Sequence, residues 1–223
     1  MTTMTAQPNR SLAVSAGTDA VCARTAFVAA FGAVPPIILL HLGATSRMEP
    51  SGWTISDYVV SIPNGTALYA MTAGALGIGG ALLSRALRTL SGTTVLRALL
   101  GIWAAAVLVT AMFPTNLRGT PDNTSSTIHL VAGAVVFAVL PLAGWMLSRS
   151  RQRIWGRTYL RRASLIAGVL STALIMNRLP GVIGLPELML PPGILQRTAG
   201  AALILLLAIA ALALVRCGRG AEQ

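Results

Sequence analysis

The 223-residue chain is too apolar for a soluble globule: 54% of its residues are hydrophobic and 10% are charged. A soluble domain carries about 25% charged residues. The net charge of +11 comes from 17 basic residues, all of them arginine, which lie in short segments between apolar runs. This placement is typical of charge that anchors a membrane protein at one bilayer face, so nucleic acid is not expected as a partner.

The apolar runs predict an all-α, polytopic transmembrane helix bundle with six spanning helices. Residues 1–22 are polar and rich in Ser, Thr and Ala, and we predict a flexible cytoplasmic tail there rather than a cleaved signal peptide. The transmembrane domain is predicted over 23–216, followed by a cytoplasmic tail at 217–223. Each apolar stretch is near the ~20 residues that cross about 30 Å of hydrocarbon. The stretches are 25–44, 66–87, 95–113, 127–147, 161–179 and 195–215.

The arginines predict the orientation of this bundle. The tails and the second and fourth connections hold 13 of them, and the opposite side holds four: Arg47, Arg118, Arg178 and Arg197. Because basic residues are retained on the cytoplasmic side, both termini are predicted to be cytoplasmic. We expect a multi-pass protein of the cell membrane, a bacterial plasma membrane, in contact with membrane lipid. The end of the bundle that carries the first, third and fifth connections is called the outer end below.

Small residues and prolines predict how the helices pack. The second apolar run is rich in glycine, at Gly74, Gly77, Gly79 and Gly80. Such residues let helix backbones approach closely, either within this chain or across a homo-oligomer interface. The Pro35-Pro36 pair in the first helix and Pro141 in the fourth each remove a backbone hydrogen bond, so both helices are predicted to kink.

Polar residues near the outer end form the candidate site. Ionisable groups close to the apolar zone are costly and are functional candidates for that reason. The candidate catalytic acids and bases are Asp57, His129 and Glu187. The candidate substrate-binding residues are Asn116, Asp122, Gln196 and Arg197, with Arg197 also a candidate partner of Asp57. Other polar residues on this side are His41, Glu49, Asn64, Asn177 and Arg178. The alternative is that this set only caps and links the helix ends.

The outer connections carry further local signals. Trp53 and Tyr58 are predicted as anchors at the membrane interface. Ser125 or Ser126 is predicted as the N-cap of the fourth spanning helix. The sequence contains no nucleophile-elbow, zinc-protease, paired-cysteine, phosphate-loop or dinucleotide motif, so neither a metal nor a cofactor is predicted. Ser56 and Ser61 are possible nucleophiles, but the sequence gives neither an identifiable partner.

Four short motifs near the outer end are similar to those of a known family. They are Ser56-Asp57-Tyr58, Phe113-Pro114-Thr115, Ile128-His129 and Gly193-Ile194-Leu195-Gln196-Arg197. In order and placement they resemble the domain-of-unknown-function family numbered 998, small six-helix bacterial membrane proteins, over most of residues 25–215. An acid often follows the Phe-Pro-Thr element of that family, whereas Asn116 stands here. The resemblance therefore implies a topology and a site location, but no carboxylate role at this position and no activity.

The sequence leaves three functions open. The first is an integral membrane protein of unknown specific activity whose outer polar pocket binds a small molecule or lipid. The second is a membrane-embedded enzyme that acts on an isoprenoid or lipid substrate, in the manner of a proton-initiated terpene cyclase. Such chemistry requires an acid of raised pKa in an apolar cavity, and Asp57, Asp122 and Glu187 are the candidates. A transporter is the third, although no internal repeat favours it.

The arginine distribution makes a direct prediction about topology. A cysteine placed in the arginine-rich 149–162 stretch, for example by Ser150→Cys, is expected to react with an impermeant maleimide only after cells are opened. Asn64→Cys, in the first outer connection, is the control and should react in intact cells. Reaction of the Ser150→Cys protein in intact cells would show that the topology is inverted.

Overall fold

The described chain is helical, with short connections. The computed structural model describes residues 10–117, 119–121, 123–150, 154–182 and 190–219. These residues contain no strand and form eight helices: α1 (Arg10–Gly32), α2 (Val34–Thr45), α3 (Ile55–Ser61), α4 (Gly65–Ala86), α5 (Thr94–Met112), α6 (Thr124–Arg149), α7 (Arg157–Val182) and α8 (Pro192–Arg219). The predicted all-α class is confirmed.

Six segments are long and apolar enough to cross a membrane, as predicted. These spans are Gly17–Thr45, Gly65–Ala86, Thr94–Met112, Thr124–Arg149, Arg157–Arg178 and Pro192–Cys217. The chain is therefore a multi-pass membrane protein, in which helices satisfy the backbone groups that lipid cannot.

The helical region extends beyond the predicted bundle at both ends. α1 begins at Arg10, inside the segment predicted as a flexible tail, and Cys22 at the end of that segment is buried. α8 likewise continues to Arg219, past the predicted start of the C-terminal tail. Residues 1–9 and 220–223 of the two predicted tails lie outside the described residues.

The proline pair divides the first span into two helices. α1 ends at Gly32, and Pro35 and Pro36 lie in the first turn of α2, where a missing N–H costs no intrahelical bond. α1 packs against α4 and α8, whereas α2 packs against α3 and α4 and meets α8 through the hydrogen bond between His41 and Arg197. The pair thus directly follows a helix break, and the predicted kink itself stays a prediction. α6 continues through Pro141, and a kink there stays a prediction.

The spans form a ring in which α8 is the most enclosed helix. Neighbours in the ring are α1 and α4, α4 and α5, α5 and α6, α6 and α7, α7 and α8, and α8 and α1. α8 also contacts α4 and α6. The share of the most apolar part of each span that is buried is 56% for α8 and 28–33% for the others. The outer end of α8, which begins with the Gly193–Arg197 motif, therefore lies among several helices.

The glycine face of α4 is filled by other helices of this chain. A Cβ added at Gly77 would lie 3.0 Å from the Leu108 side chain, and one at Gly80 would lie 2.7 Å from the Trp103 ring. The same addition at Gly79 would lie 3.3 Å from Leu207. These three glycines therefore let α5 and α8 pack closely against α4. A homo-oligomer contact through α4 stays a prediction.

The Gly80 contact predicts that one added methyl group destabilises the bundle. In a helix, replacing Gly by Ala normally stabilises the protein by roughly 0.5–1 kcal/mol. At Gly80 the methyl would overlap the Trp103 ring, so Gly80→Ala is expected to destabilise the protein by about 1–3 kcal/mol. Gly74→Ala is the matched control, because a Cβ there meets no atom within 4 Å. Thermal unfolding in detergent measures both, and equal melting temperatures would contradict this packing.

Candidate functional site

The short helix α3 connects the outer ends of three other helices and is itself tightly capped. It contacts α2, α4 and α8. At its start, Asp57 Oδ2 accepts hydrogen bonds from the backbone N–H and the hydroxyl of Thr54, each at 2.7 Å, and Thr54 Oγ1 accepts from the Asp57 N–H at 3.3 Å. This reciprocal capping box fixes the first turn. It also engages the carboxylate of Asp57, a predicted catalytic acid, in a capping interaction.

An apolar cavity of about 480 Å³ lies below α3 between the spans. Described residues from every span except the fifth line it. Much of its surface is hydrophobic, including Leu76, Trp103, Val107, Phe137 and Leu203. At the outer end the lining is polar, with His41, Ser56, Tyr58, His129, Gln196 and Arg197. Hydrogen-bonding groups are therefore concentrated at one end of an otherwise apolar chamber.

His129 and Ser56 form a hydrogen bond at this polar end. Ser56 Oγ lies 3.1 Å from His129 Nε2, which joins α3 to α6. The other ring nitrogen, Nδ1, lies 3.0 Å from the Thr110 carbonyl oxygen and 2.9 Å from that of Phe113, at the end of α5. Because carbonyl oxygens only accept, Nδ1 carries a hydrogen, and both nitrogens of His129 have a partner.

Gln196 connects the start of α8 to the same serine. Its Oε1 accepts from the Ile55 N–H at 2.5 Å, in the first turn of α3. Its Nε2 donates to Ser56 Oγ at 3.3 Å. Because the Ile55 N–H can only donate, the amide atom that faces it is the oxygen, and this assigns the orientation of the Gln196 amide. Gln196 thus satisfies one of the free amides of the helix start and directs its own N–H at the serine.

Arg197 ties the first outer connection to α8. Its Nη1 donates to the carbonyl oxygens of Pro50 at 2.6 Å and Trp53 at 3.0 Å, and its Nε donates to His41 Nδ1 at 3.4 Å. The guanidinium carbon lies 4.8 Å from the centre of the Tyr58 ring, within the range of a cation–π contact. The Arg197 guanidinium and the Asp57 carboxylate therefore have separate partners.

Tyr58 is part of this core, and its prediction as an interface anchor is wrong. Its side chain is 0% exposed, between Arg197 and the His41 ring. Burial raises the pKa of the Tyr58 hydroxyl, and the Arg197 charge opposes that shift only in part. The phenol is therefore a neutral donor. Among the described residues, the Tyr58 hydroxyl and Arg197 Nη2 are both buried without a hydrogen-bond partner.

The family model for "Protein of unknown function (DUF998)" matches residues 25–213. This chain belongs to the DUF998 family. Searches of curated proteins and of solved structures found no match. The resemblance drawn from the four motifs is thus confirmed, and the family description assigns no activity.

In this DUF998 protein the four motifs meet at the polar end of the cavity. Gln196 donates to Ser56, Ser56 contacts His129, and His129 contacts the Phe113 carbonyl, so each motif contributes one member of a single hydrogen-bonded series. Sequence reasoning named His129, Gln196 and Arg197 as site residues but left Ser56 without a partner. The one sequence signal that pointed to Ser56 as a site residue was its position directly before Asp57, in one of the motifs.

The remaining predicted site residues are elsewhere. Asn116 does not line the cavity, and its side-chain amide donates to the Pro121 carbonyl within the third connection. Asp122 and Glu187 lie outside the described residues. Asn177 is 3% exposed and donates to the Leu190 carbonyl at 3.2 Å. Glu49 accepts a hydrogen bond from the Ser51 hydroxyl in the first connection. These contacts hold connections and helix ends.

The start of α6 also differs from the prediction. Its N-cap is Asn123, not Ser125 or Ser126. Asn123 Oδ1 accepts from the Ser126 N–H at 2.9 Å, and Ser126 Oγ accepts from the Asn123 N–H at 3.1 Å. The two residues form a capping box, in which Ser126 is the inner partner. Ser125 instead donates to the Pro114 carbonyl at 2.8 Å.

Replacing Arg197 by lysine is predicted to destabilise the protein. An ammonium group cannot reproduce a fork that reaches Pro50, Trp53 and His41 together. Arg197→Lys is expected to cost about 1.5–3 kcal/mol of stability, the usual worth of a hydrogen bond to a charged group. Thermal unfolding measures this loss, and hydrogen exchange should accelerate over residues 50–57. Arg47→Lys, an exposed change in the same connection, is the control. Unchanged exchange in the Arg197→Lys protein would argue against this role.

Proposed function

We propose that this integral membrane protein binds an amphipathic molecule with a single hydrocarbon chain. The chain would occupy the cavity, and an oxygen-bearing head group would lie at the polar end near Ser56, Gln196 and Arg197. The observation that carries the proposal is the distribution of the lining: a hydrophobic chamber whose hydrogen-bonding side chains gather at one end. This is the pattern of a small-molecule site, in which apolar walls give affinity and a few polar groups fix orientation.

The size of the cavity suits a ligand of this kind. Its volume of about 480 Å³ falls within the range of roughly 300–1,000 Å³ that small-molecule pockets occupy. Two glycines, Gly133 and Gly200, line it, and a Cβ added at either would meet no atom within 4 Å. The chamber therefore has free space beside both α6 and α8, rather than a tightly packed wall.

The divided first span supports entry from the lipid. α1 packs closely against α8 below the proline pair, whereas α2 packs mainly against α3 and α4 and meets α8 near the outer end, through His41 and Arg197. Phe31, Ile38 and Leu205 all line the cavity and are all about half exposed, at 55%, 49% and 57%. Residues that face both the cavity and the outside of the bundle mark a lateral opening. A ligand dissolved in the bilayer would not need to cross water to reach it.

The polar end favours a head group that accepts hydrogen bonds. Gln196 directs an amide N–H toward Ser56, and the Tyr58 hydroxyl and Arg197 Nη2 are buried donors without partners in the described residues. No described residue of the lining is Asp or Glu. With donors from Gln196 and Arg197 at this end, a carbonyl, carboxylate or phosphate oxygen is the head-group atom that the lining matches best.

The proton-initiated enzyme has less support. That mechanism requires an acid in the cavity, whereas the Asp57 carboxylate serves the capping box of α3 and no described lining residue is acidic. Asp122 and Glu187 lie outside the described residues, so their role as acids stays a prediction. A transporter stays a prediction too, since nothing described favours it over a binding site.

Filling the cavity is predicted to weaken binding. Gly133→Leu places a branched side chain in the free space, and we expect the affinity for tritiated 1-oleoylglycerol to fall at least about tenfold, or ~1.4 kcal/mol. The full-length protein in lipid nanodiscs is used, with equilibrium binding as the measurement. Tritiated oleate and farnesol, tested in parallel, compare an anionic head group and an isoprenoid alcohol with the ester.

The matched control is Gly101→Leu, another helical glycine with no atom within 4 Å of an added Cβ. It is exposed and does not line the cavity, so it should bind as the unchanged protein does. If none of the three probes binds the unchanged protein, or if Gly133→Leu and Gly101→Leu bind equally, the proposal fails.

A further inference from the structure

The contact between Ser56 and His129 has a chemical capacity that ligand binding alone does not require. We propose that the two residues form a nucleophile–base pair that hydrolyses an acyl ester held in the cavity. This inference rests on the proposed binding of a single-chain amphiphile. Ser56 Oγ and His129 Nε2 lie 3.1 Å apart, within the distance at which an imidazole can take the proton of an attacking hydroxyl.

The contacts of the second ring nitrogen of His129, Nδ1, determine which tautomer the imidazole adopts. Nδ1 is held by the carbonyl oxygens of Thr110 and Phe113, so it carries a hydrogen. In a neutral imidazole this leaves the lone pair on Nε2, the nitrogen that faces Ser56. The two carbonyls orient the ring, which is the role of the third group in a serine hydrolase triad. The backbone at the end of α5 therefore positions the base.

Gln196 provides a donor for the charge that develops during the reaction. Its amide is fixed by the Ile55 N–H, so its own N–H faces Ser56 Oγ at 3.3 Å. When Ser56 Oγ bonds to a carbonyl carbon, the carbonyl oxygen becomes negative beside this N–H and can accept from it. Arg197 lines the same end of the cavity and carries a buried Nη2 without a partner among the described residues. Both groups favour an anionic intermediate.

The reaction needs only the ester and water. Ser56 Oγ bonds to the ester carbonyl carbon while its proton moves to His129 Nε2 and the carbonyl π electrons move to oxygen. Collapse breaks the bond to the alcohol oxygen, which leaves with the proton from Nε2, and the acyl group stays on Ser56. Water then attacks this acyl carbon, gives a proton to Nε2, and Ser56 takes that proton as the carboxylic acid departs. Ester and water become acid and alcohol, and the protein is regenerated.

A purely structural role is the competing explanation, since the same side chains tie α3 to α6 and α8. The two roles differ in what they predict for reactivity. A serine that only joins helices reacts slowly with an electrophile, whereas a serine paired with a base is an activated nucleophile. Stability measurements alone do not separate these roles, but covalent labelling does.

The test uses a fluorophosphonate with a long alkyl chain on the full-length protein in nanodiscs. Attack by an activated serine forms an oxygen–phosphorus bond and expels fluoride, and peptide mass spectrometry locates the adduct. We expect labelling at Ser56, none in Ser56→Ala, and a rate at least about 100-fold lower in His129→Gln, from loss of the general base. Ser61→Ala is the matched control on the same helix, outside the cavity lining, and should label as the unchanged protein does.

A second measurement does not depend on the stability of the His129→Gln protein. Release of tritiated oleate from 1-oleoylglycerol is expected with the unchanged protein and is expected to be lost in Ser56→Ala. Binding of 1-oleoylglycerol without oleate release, or labelling at Ser56 that is as fast in a folded His129→Gln protein, overturns the nucleophile–base pair and leaves the binding proposal intact. Failure of all probes to bind overturns both proposals.

Discussion

Hydrocarbon offers no hydrogen-bond partner to a polar group, and this cost organises the whole molecule. It requires the backbone to be helical in the six spans, and it requires each polar side chain among them to find a partner. Trp103, which is 1% exposed, donates its indole N–H to the Val136 carbonyl at 3.0 Å, and Tyr69 pairs with Thr110 at 2.9 Å. At the outer end the same demand joins α3, α6 and α8 through Ser56, His129 and Gln196. Among the described residues of the cavity lining, the Tyr58 hydroxyl and Arg197 Nη2 are exceptions, because they are buried without a hydrogen-bond partner.

Two sequence features shape the packing around the cavity: the glycines of α4 and the proline pair of the first span. Glycines of α4 draw α5 and α8 close, as the contacts of Gly77, Gly79 and Gly80 demonstrate. Pro35 and Pro36 lie in the first turn after the break in the first span, and the part beyond the break packs mainly against α3 and α4. The cavity lies between these elements and is lined by α1, α2, α4, α5, α6 and α8. A polar cap then forms over it, because α3 is held by its own capping box and by Arg197.

Binding and hydrolysis make different demands on this site. Binding needs an apolar chamber with donors at one end, which the described residues provide, and the proposed lateral access. Hydrolysis also needs a nucleophile, a base of defined tautomer and a donor for the oxyanion. Ser56, His129 and Gln196 meet that description with backbone carbonyls, rather than a carboxylate, orienting the imidazole. The acids on which a proton-initiated reaction would depend do not line the cavity in the described part of the chain.

The sequence by itself determined the all-α class, the six spans and the placement of His129, Gln196 and Arg197 at one end of the bundle. The length of an apolar run and the position of a polar residue are local properties, so they can be read directly from the sequence. The partners were decided only by tertiary structure. The sequence predicts Asp57 as a candidate acid, but its carboxylate is engaged by Thr54, three residues away along the chain, while Ser56 meets a histidine 73 residues away. Hydrogen bonds are directional and short, so which groups meet depends on how α3, α5, α6 and α8 are packed against one another.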